Sequence, residues 1–327
     1  MSMATYKIVK LRNLSPLHIG TGRDDSSSSS SELHSDTLSS ALAAMLAQTT
    51  DAADIKGFME SFAISSAFPF VGDRYFLPTP AGRLAVRGCE EEQVRKKLKK
   101  LKFLELPVWS QVISGESPII SEEELAGEFL LAPGEKKIRP YSSHVNQRVS
   151  VDIEDGETVP FFFKWQYHSP DAGFFCIVDS DDAIMDELIR LFALLGETGI
   201  GSSKSVGGGK FDVEAGSIEL PTVEDADTTM LLSLYIPTKE ELDGFDLEQS
   251  RYELLHRGGY MAGSNVAEFR HLLKKSVYMI GVGSLFAGVH TLHGTIADVT
   301  PCWNDDNMHR VLRSGRPIAI PVKKQDV

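Results

Sequence analysis

Gly199-Ile200-Gly201-Ser202-Ser203-Lys204-Ser205-Val206-Gly207-Gly208-Gly209-Lys210 packs five glycines, three serines and two lysines into twelve positions with no acidic residue. Bare backbone turns tightly and lets a ligand approach its N–H groups, and lysines supply charge for a phosphate. The stretch therefore reads as a polyanion cradle, with a plain flexible connection as the competing reading. Its neighbours decide more than its glycines do. Residues 186–195 carry an amphipathic helical pattern, and Phe211-Asp212-Val213-Glu214 alternates like a strand, so the loop runs from helix to strand. Walker A and Rossmann loops run from strand to helix and set phosphate on the following helix N-terminus. The spelling fails too: Ser203 stands where Walker A needs glycine, and Gly199-x-Gly201-x-x-Lys204 lacks the third Rossmann glycine. Nucleotide hydrolysis and dinucleotide binding are set aside.

Length and charge narrow the class further. The 327 residues suffice for two domains, and 42% hydrophobic with 24% charged residues is ordinary globular composition. No apolar run approaches a membrane span, and the start lacks the layout of a signal peptide, so a cytoplasmic protein with no membrane partner is expected. Cys89, Cys176 and Cys302 lie far apart, which offers neither a disulfide framework nor zinc spacing, and they read as buried apolar residues. A net charge of −13 is the wrong sign for a protein that coats nucleic acid. Any polyanion site must be a local basic groove, and the acidic remainder suits an assembly subunit.

Working outward, residues 6–11 alternate as a first strand, and Pro16-Leu17-His18-Ile19-Gly20 breaks it into a loop. Residues 24–31 form a serine-rich polar run, read as a loose insert. Ser35 or Asp36 then caps a helix with apolar Leu38, Ala41, Leu42, Met45 and Leu46. Between residues 55 and 88 short aromatic segments surround a hairpin turn at Gly72-Asp73, and residues 90–103 form a helix with six outward cations, more simply a solvated face than a nucleic-acid patch. From residue 134 the pattern turns β-rich. Arg139, His144, Gln147 and Arg148 lead into a strand, Asp155-Gly156 marks the turn, and residues 159–167 return; this reads either as a basic finger over RNA or as an ordinary solvated hairpin. The acidic, Pro221-containing stretch 219–228 marks a boundary, giving domains 1–218 and 219–327. Beyond it strands are expected at 230–236, 252–256 and 276–282, with helices near 239–242 and 307–313.

Several spellings now coincide in order: Leu17-His18-Ile19-Gly20, His34-Ser35-Asp36-Thr37-Leu38, the glycine-rich loop, Arg257-Gly258-Gly259-Tyr260, Lys274-Lys275-Ser276-Val277-Tyr278-Met279 and Gly283-Ser284-Leu285-Phe286. In this the chain resembles the RAMP superfamily of CRISPR systems and, within it, the family of the fourth subunit of the type III-A Csm particle. The resemblance implies an α+β fold of two tandem ferredoxin-like, RRM-related domains with a β-hairpin thumb from the first. It implies a non-catalytic subunit that grips the crRNA 5′ handle and bridges the large polymerase/cyclase-type subunit to the backbone RAMP subunit. No cofactor, metal or small-molecule substrate is expected.

Recognition of a single-stranded RNA end needs backbone N–H groups and cations for phosphate, with platforms for splayed bases. The expected RNA-binding set is His18, Gly20, Arg139, His144, Gln147, Arg148, Gly201, Ser202, Ser203, Lys204, Ser205, Gly207, Gly208, Gly209, Lys210, Arg257 and Lys274, with Arg257 and Lys274 also readable as domain-interface charges. Lys210-Phe211-Asp212-Val213 does not continue into an RRM spelling, so loops and thumb are expected to hold RNA rather than an open sheet face. The competing class is a RAMP-type endoribonuclease using His18, His34 or Asp36 for acid–base chemistry. Local capping accounts for Ser35-Asp36 without chemistry, and His290 and His293 lack metal-pair spacing.

Overall fold

The computed structural model describes residues 2–20, 30–88, 92–151, 158–202, 204–261, 264, 266–303, 305 and 308–325. The serine-rich residues 21–29, Cys89, the Asp155-Gly156 turn and Ser203 lie outside the described residues.

Strand β1 (Met3–Arg12) is followed by helices α1 (Ser35–Thr49) and α2 (Ile55–Glu60), then by the hairpin of β2 (Phe68–Val71) and β3 (Arg74–Pro78). Gly72 makes that turn with φ 58°, a conformation glycine adopts without strain, as the sequence led us to expect. A long hairpin of β4 (Tyr141–Val151) and β5 (Thr158–His168) comes next, and β6 (Ala172–Asp179), α3 (Asp182–Thr198) and β7 (Asp212–Pro221) complete the first part. The main sheet runs β7-β1-β6-β2-β3 and continues through Phe103–Glu105, Phe129–Leu130 and Leu125–Ala126. Pairing of β1 with both β6 and β7 is antiparallel, with Lys7 opposite Val178 on one side and Ser217 on the other. Strand β6 is buried on both faces, which is why Phe174-Phe175-Cys176-Ile177 is a continuous apolar run rather than an alternating one.

The second part has β8 (Thr228–Leu231) between β11 (Leu285–Ala287) and β13 (Ala319–Val322), with β9 (Leu254–Arg257) paired to β10 (Val277–Ile280) and β12 (Leu312–Ser314) paired to Ile296–Asp298. The fold is mixed α/β, rich in sheet. One apolar core runs across both parts, joining Leu38, Leu42 and Phe175 to Met230, Leu285 and Ile320.

Three expectations change. The helix expected near 307–313 is not formed among the described residues, where Leu312–Ser314 pairs antiparallel with Ile296–Asp298 and Arg313 is buried. The basic helix spans only Glu92–Leu98, and Phe103–Glu105 joins the sheet. Lys96 pairs with Glu92 and Lys97 with Glu122, as a solvated face would. Cys176 is buried, and burial pushes its thiol up to about 12, but Cys302 is exposed.

Candidate nucleic-acid interface

Helix α3 begins at Asp181, whose carboxylate accepts from the Ile184 N–H at 2.8 Å, and ends at Gly199 with φ 85°. The glycine loop that follows is pinned rather than slack. Ser15 donates its N–H to the Lys210 carbonyl at 2.9 Å and its hydroxyl to the Gly207 carbonyl at 2.9 Å, while accepting from the Lys210 N–H at 2.8 Å. The Gly209 N–H donates to the Pro16 carbonyl and the Ser202 N–H to the His18 carbonyl, at 3.0 and 3.1 Å. Gly201 and Gly209 have positive φ, and a Cβ at either would overlap a backbone carbonyl, of His18 and Ile200 respectively. The glycines thus serve close backbone approach first. The amides of Ile200, Ser202, Gly207, Gly209 and Lys210 all donate within the chain, so the cradle of free N–H groups expected from the spelling is largely closed. What the loop presents outward is Ser202, Lys204, Val206 and Lys210.

The facing loop carries this geometry to the hairpin. Leu17 and Gln166 exchange backbone hydrogen bonds at 2.9 and 2.8 Å. His18 is buried, with Nδ1 at 2.8 Å from the Lys164 carbonyl and its ring 4.2 Å from that of Phe163. Its role is to lock glycine loop and hairpin together, not to stand open for phosphate; Gly20 next to it is exposed. Hairpin register explains the rest. Directly opposed residues share a face of an antiparallel pair. The pairs Ser142–Tyr167, His144–Trp165, Asn146–Phe163 and Arg148–Phe161 therefore form one face, and Val145–Lys164 and Gln147–Phe162 the other. Arg148 lies 5.1 Å from the Phe163 ring and 5.4 Å from Trp165, a cation–π ladder continuing the His18 contact. Gln147 consequently sits opposite His144 and Arg148 rather than beside them. Exposed Arg139 leads into a groove of about 450 Å³ lined also by Lys164, Ser142 and Ser143.

Sequence reasoning missed Phe163, Lys164 and Trp165, although the run Phe161-Phe162-Phe163-Lys164-Trp165-Gln166-Tyr167 is an aromatic-rich strand spelling. Of Ser203 nothing is described, and of Ser205 only its backbone in the 204–206 turn.

Arg257 and Lys274 fall elsewhere. Asp36 is 1% exposed, and Arg257 donates to both its oxygens at 3.0 and 2.9 Å while Arg313 also pairs with it. Burial works against the charged carboxylate, but the two guanidiniums outweigh it and hold the Asp36 carboxyl below its usual range. The capping reading is overturned: His34 stands at the helix N-cap without a side-chain bond, and Ser35 Oγ accepts from the Leu234 N–H at 2.9 Å. His34 is partly buried, and desolvation lowers its imidazole below the ordinary value. His18 and Asp36, two of the three groups considered for acid–base chemistry, are thus held inside packing contacts. Among the described residues no cluster of three or more His, Cys, Asp or Glu could hold a metal.

With this geometry in hand, the comparisons with known proteins decide the family. The RAMP superfamily description matches residues 10–212, and the description of the CRISPR Csm4 C-terminal domain matches residues 224–322. The chain is a Csm4-like member of the RAMP superfamily. It is 26% identical over 328 residues to the CRISPR system Cms protein Csm4 of Streptococcus thermophilus, covering 96% of this chain and 98% of that protein. The Csm4 of Thermococcus onnurineus (strain NA1) is 24% identical over 249 residues, 73% of this chain and 78% of that one. The RAMP fold is seen again in the solved Csm3-Csm4 subcomplex of the type III-A CRISPR-Cas interference complex, at 18% identity, TM-score 0.62 and coverage of 97% and 99%. A Csm1-Csm4 cassette in complex with cA4 matches at 19% identity, TM-score 0.63, over 99% and 100% of the two chains. No described helix is long and apolar enough to cross a membrane.

Proposed function

We propose that this chain is the cytoplasmic, non-catalytic subunit of a type III-A interference particle that grips the crRNA 5′ handle and bridges the large polymerase/cyclase-type subunit to the backbone RAMP subunit. One observation carries the reading. The glycine loop and the β4–β5 hairpin are more than thirty residues apart in sequence, yet His18 and Ser15 bind them into a single surface. On that surface the loop offers Lys204, Lys210 and Ser202 for phosphates; the hairpin adds Arg148 on one face and, on the other, Lys164 with the exposed Phe162 ring for a base, and exposed Arg139 lines a groove with Lys164. On a chain of net charge −13 such a local basic site is what a defined RNA end requires, and it leaves acidic surface for protein neighbours.

In this reading residues 1–218 are a ferredoxin-like unit with β4–β5 as its thumb. The order β1-α1-β2-β6-α3-β7 and the sheet neighbours β7-β1-β6-β2 support it. Residues 219–327 are the second unit, whose counterpart sheet is β11-β8-β13. The relatives named Csm4 and, separately, the similar chains solved in Csm1-Csm4 and Csm3-Csm4 complexes support the two protein partners. Arg257 acts in this scheme as the staple between units through Asp36, and RNA contact is assigned to the glycine loop and thumb.

Expression with its neighbouring subunits, followed by sequencing of the RNA that co-purifies, tests the proposal. A uniform repeat-derived 5′ end is expected, and the chain alone should leave that RNA intact. Random 5′ ends, or cleavage abolished by His18→Ala, would overturn it.

A further inference from the structure

A cavity of about 550 Å³ lies between α1–α2 and the second part of the chain, lined by no residue of the glycine loop or the hairpin. Ala43, Ala44, Ala47, Ile55, Met59 and Met261 make an apolar floor. Met59 and Met261 are buried at 1% and 3% exposure, so the floor belongs to the packed body rather than to a loose edge. The volume lies in the range of small-molecule sites, which are mostly apolar with a few placed polar groups.

Most of the polar groups are already engaged. His309 Nδ1 donates to the Arg310 carbonyl at 3.1 Å, and Nε2 lies 3.0 Å from the Ser264 hydroxyl, so both ring nitrogens are engaged. Arg310 is paired with Asp298, and Asp54, the lining carboxylate, already accepts from the Gly57 N–H as the cap of α2. Lys274 is different. Its ammonium has no hydrogen bond or ion pair among the described residues, and it is half-buried near Arg313, Asp36 and Arg257, where the two guanidiniums already share the Asp36 carboxylate. Burial, reinforced by Arg313, lowers it to about 8. A half-buried lysine that lines an apolar cavity without a hydrogen bond of its own is a position where an anion restores what desolvation removed. Tyr260, 46% exposed at the same cavity, adds a ring face.

We propose that this cavity binds a nucleoside monophosphate group, its base on the apolar floor beside Tyr260 and its phosphate on Lys274. The chemistry is shared by a free mononucleotide and by a nucleotide within an RNA strand. The inference stands apart from the glycine-loop reading, because none of its residues belongs to that loop or to the hairpin.

Calorimetric titration of the full chain with AMP, and with adenosine as the neutral control, tests it. AMP should bind at least tenfold more tightly than adenosine. Lys274→Met should remove that preference, and Ala44→Phe, which fills the floor, should abolish binding of both. Each variant is first shown to unfold at the wild-type temperature within a few degrees; Lys274→Gln and Ala47→Leu replace any that does not. If handle RNA competes with AMP and is itself weakened by Ala44→Phe, the source is the RNA strand; if RNA and AMP bind together, it is a free nucleotide. Equal affinity for AMP and adenosine, or no binding by either AMP or RNA that Ala44→Phe alters, overturns the proposal.

Discussion

Replacing Asp36 by alanine should destabilise the chain by about 3 kcal/mol, the lower end of the range for breaking a buried ion pair from one side. The structure sets that figure. Arg313, 5% exposed, is deprived of its carboxylate while its Nε already lacks a partner, so a full charge is left in a dry site. Arg257 is 25% exposed and keeps a 3.1 Å bond to the Thr37 hydroxyl, so solvent softens its share. Urea unfolding at neutral pH, read at the midpoint with the slope held in common, measures the effect. Asp36→Asn, which keeps shape and one acceptor, should cost less. The triple change Asp36→Leu, Arg257→Leu, Arg313→Met should recover most of the stability, since neither guanidinium is then left without its carboxylate. A destabilisation below about 1 kcal/mol for Asp36→Ala would refute the reasoning, because that is the size of an ordinary surface or cap effect.

Acid should erase the same interaction. Because the native carboxyl of Asp36 is held below its unfolded value of about 4, its contribution is present above that pH and fades as pH falls through the lower native value. The gap between wild type and Asp36→Asn in a pH series should therefore shrink below about pH 4; a gap growing towards acid would contradict the assignment. Gly209→Ala should cost on the order of 2 kcal/mol in thermal unfolding, as φ 70° and the Ile200 carbonyl leave a side chain no room, whereas Gly207→Ala, with nothing within 4 Å, should cost less. Arg148→Ala should lower hairpin protection in amide exchange, since it removes about 1 kcal/mol of cation–π attraction to Phe163 and Trp165; unchanged protection would detach Arg148 from the ladder.

What could be read in the chain beforehand was what local spelling controls. Helix-to-strand placement of the glycine loop, the Gly72 turn and the basic lead into the hairpin all rest on contiguous residues, and the structure keeps them. The partners of Asp36 lie 221 and 277 residues along the chain, so no periodicity could reveal them. A serine and an aspartate at a helix start imitate a cap, which made the local explanation sufficient and wrong. Two arginines in the second part were the available signal for a buried carboxylate, yet on an acidic protein they resemble surface charge. His18 was similarly ambiguous: apolar neighbours Leu17 and Ile19 favour burial, but only the long-range contacts with the Lys164 carbonyl and the Phe163 ring show what buries it. Glycine density was read as a cradle of open amides or a flexible connection, but in the structure another segment of the chain approaches those amides, leaving the lysines as the outward-facing chemistry.

Those lysines carry the central claim, and the affinity for a single-stranded RNA bearing the repeat-derived 5′ handle, measured across a salt series, tests it most directly. For Lys204→Ala with Lys210→Ala, binding should weaken and the log–log salt slope should flatten by about 0.7 for each phosphate that the chain no longer neutralises, with thermal unfolding unchanged. An unaltered affinity and slope in that double variant would contradict the account.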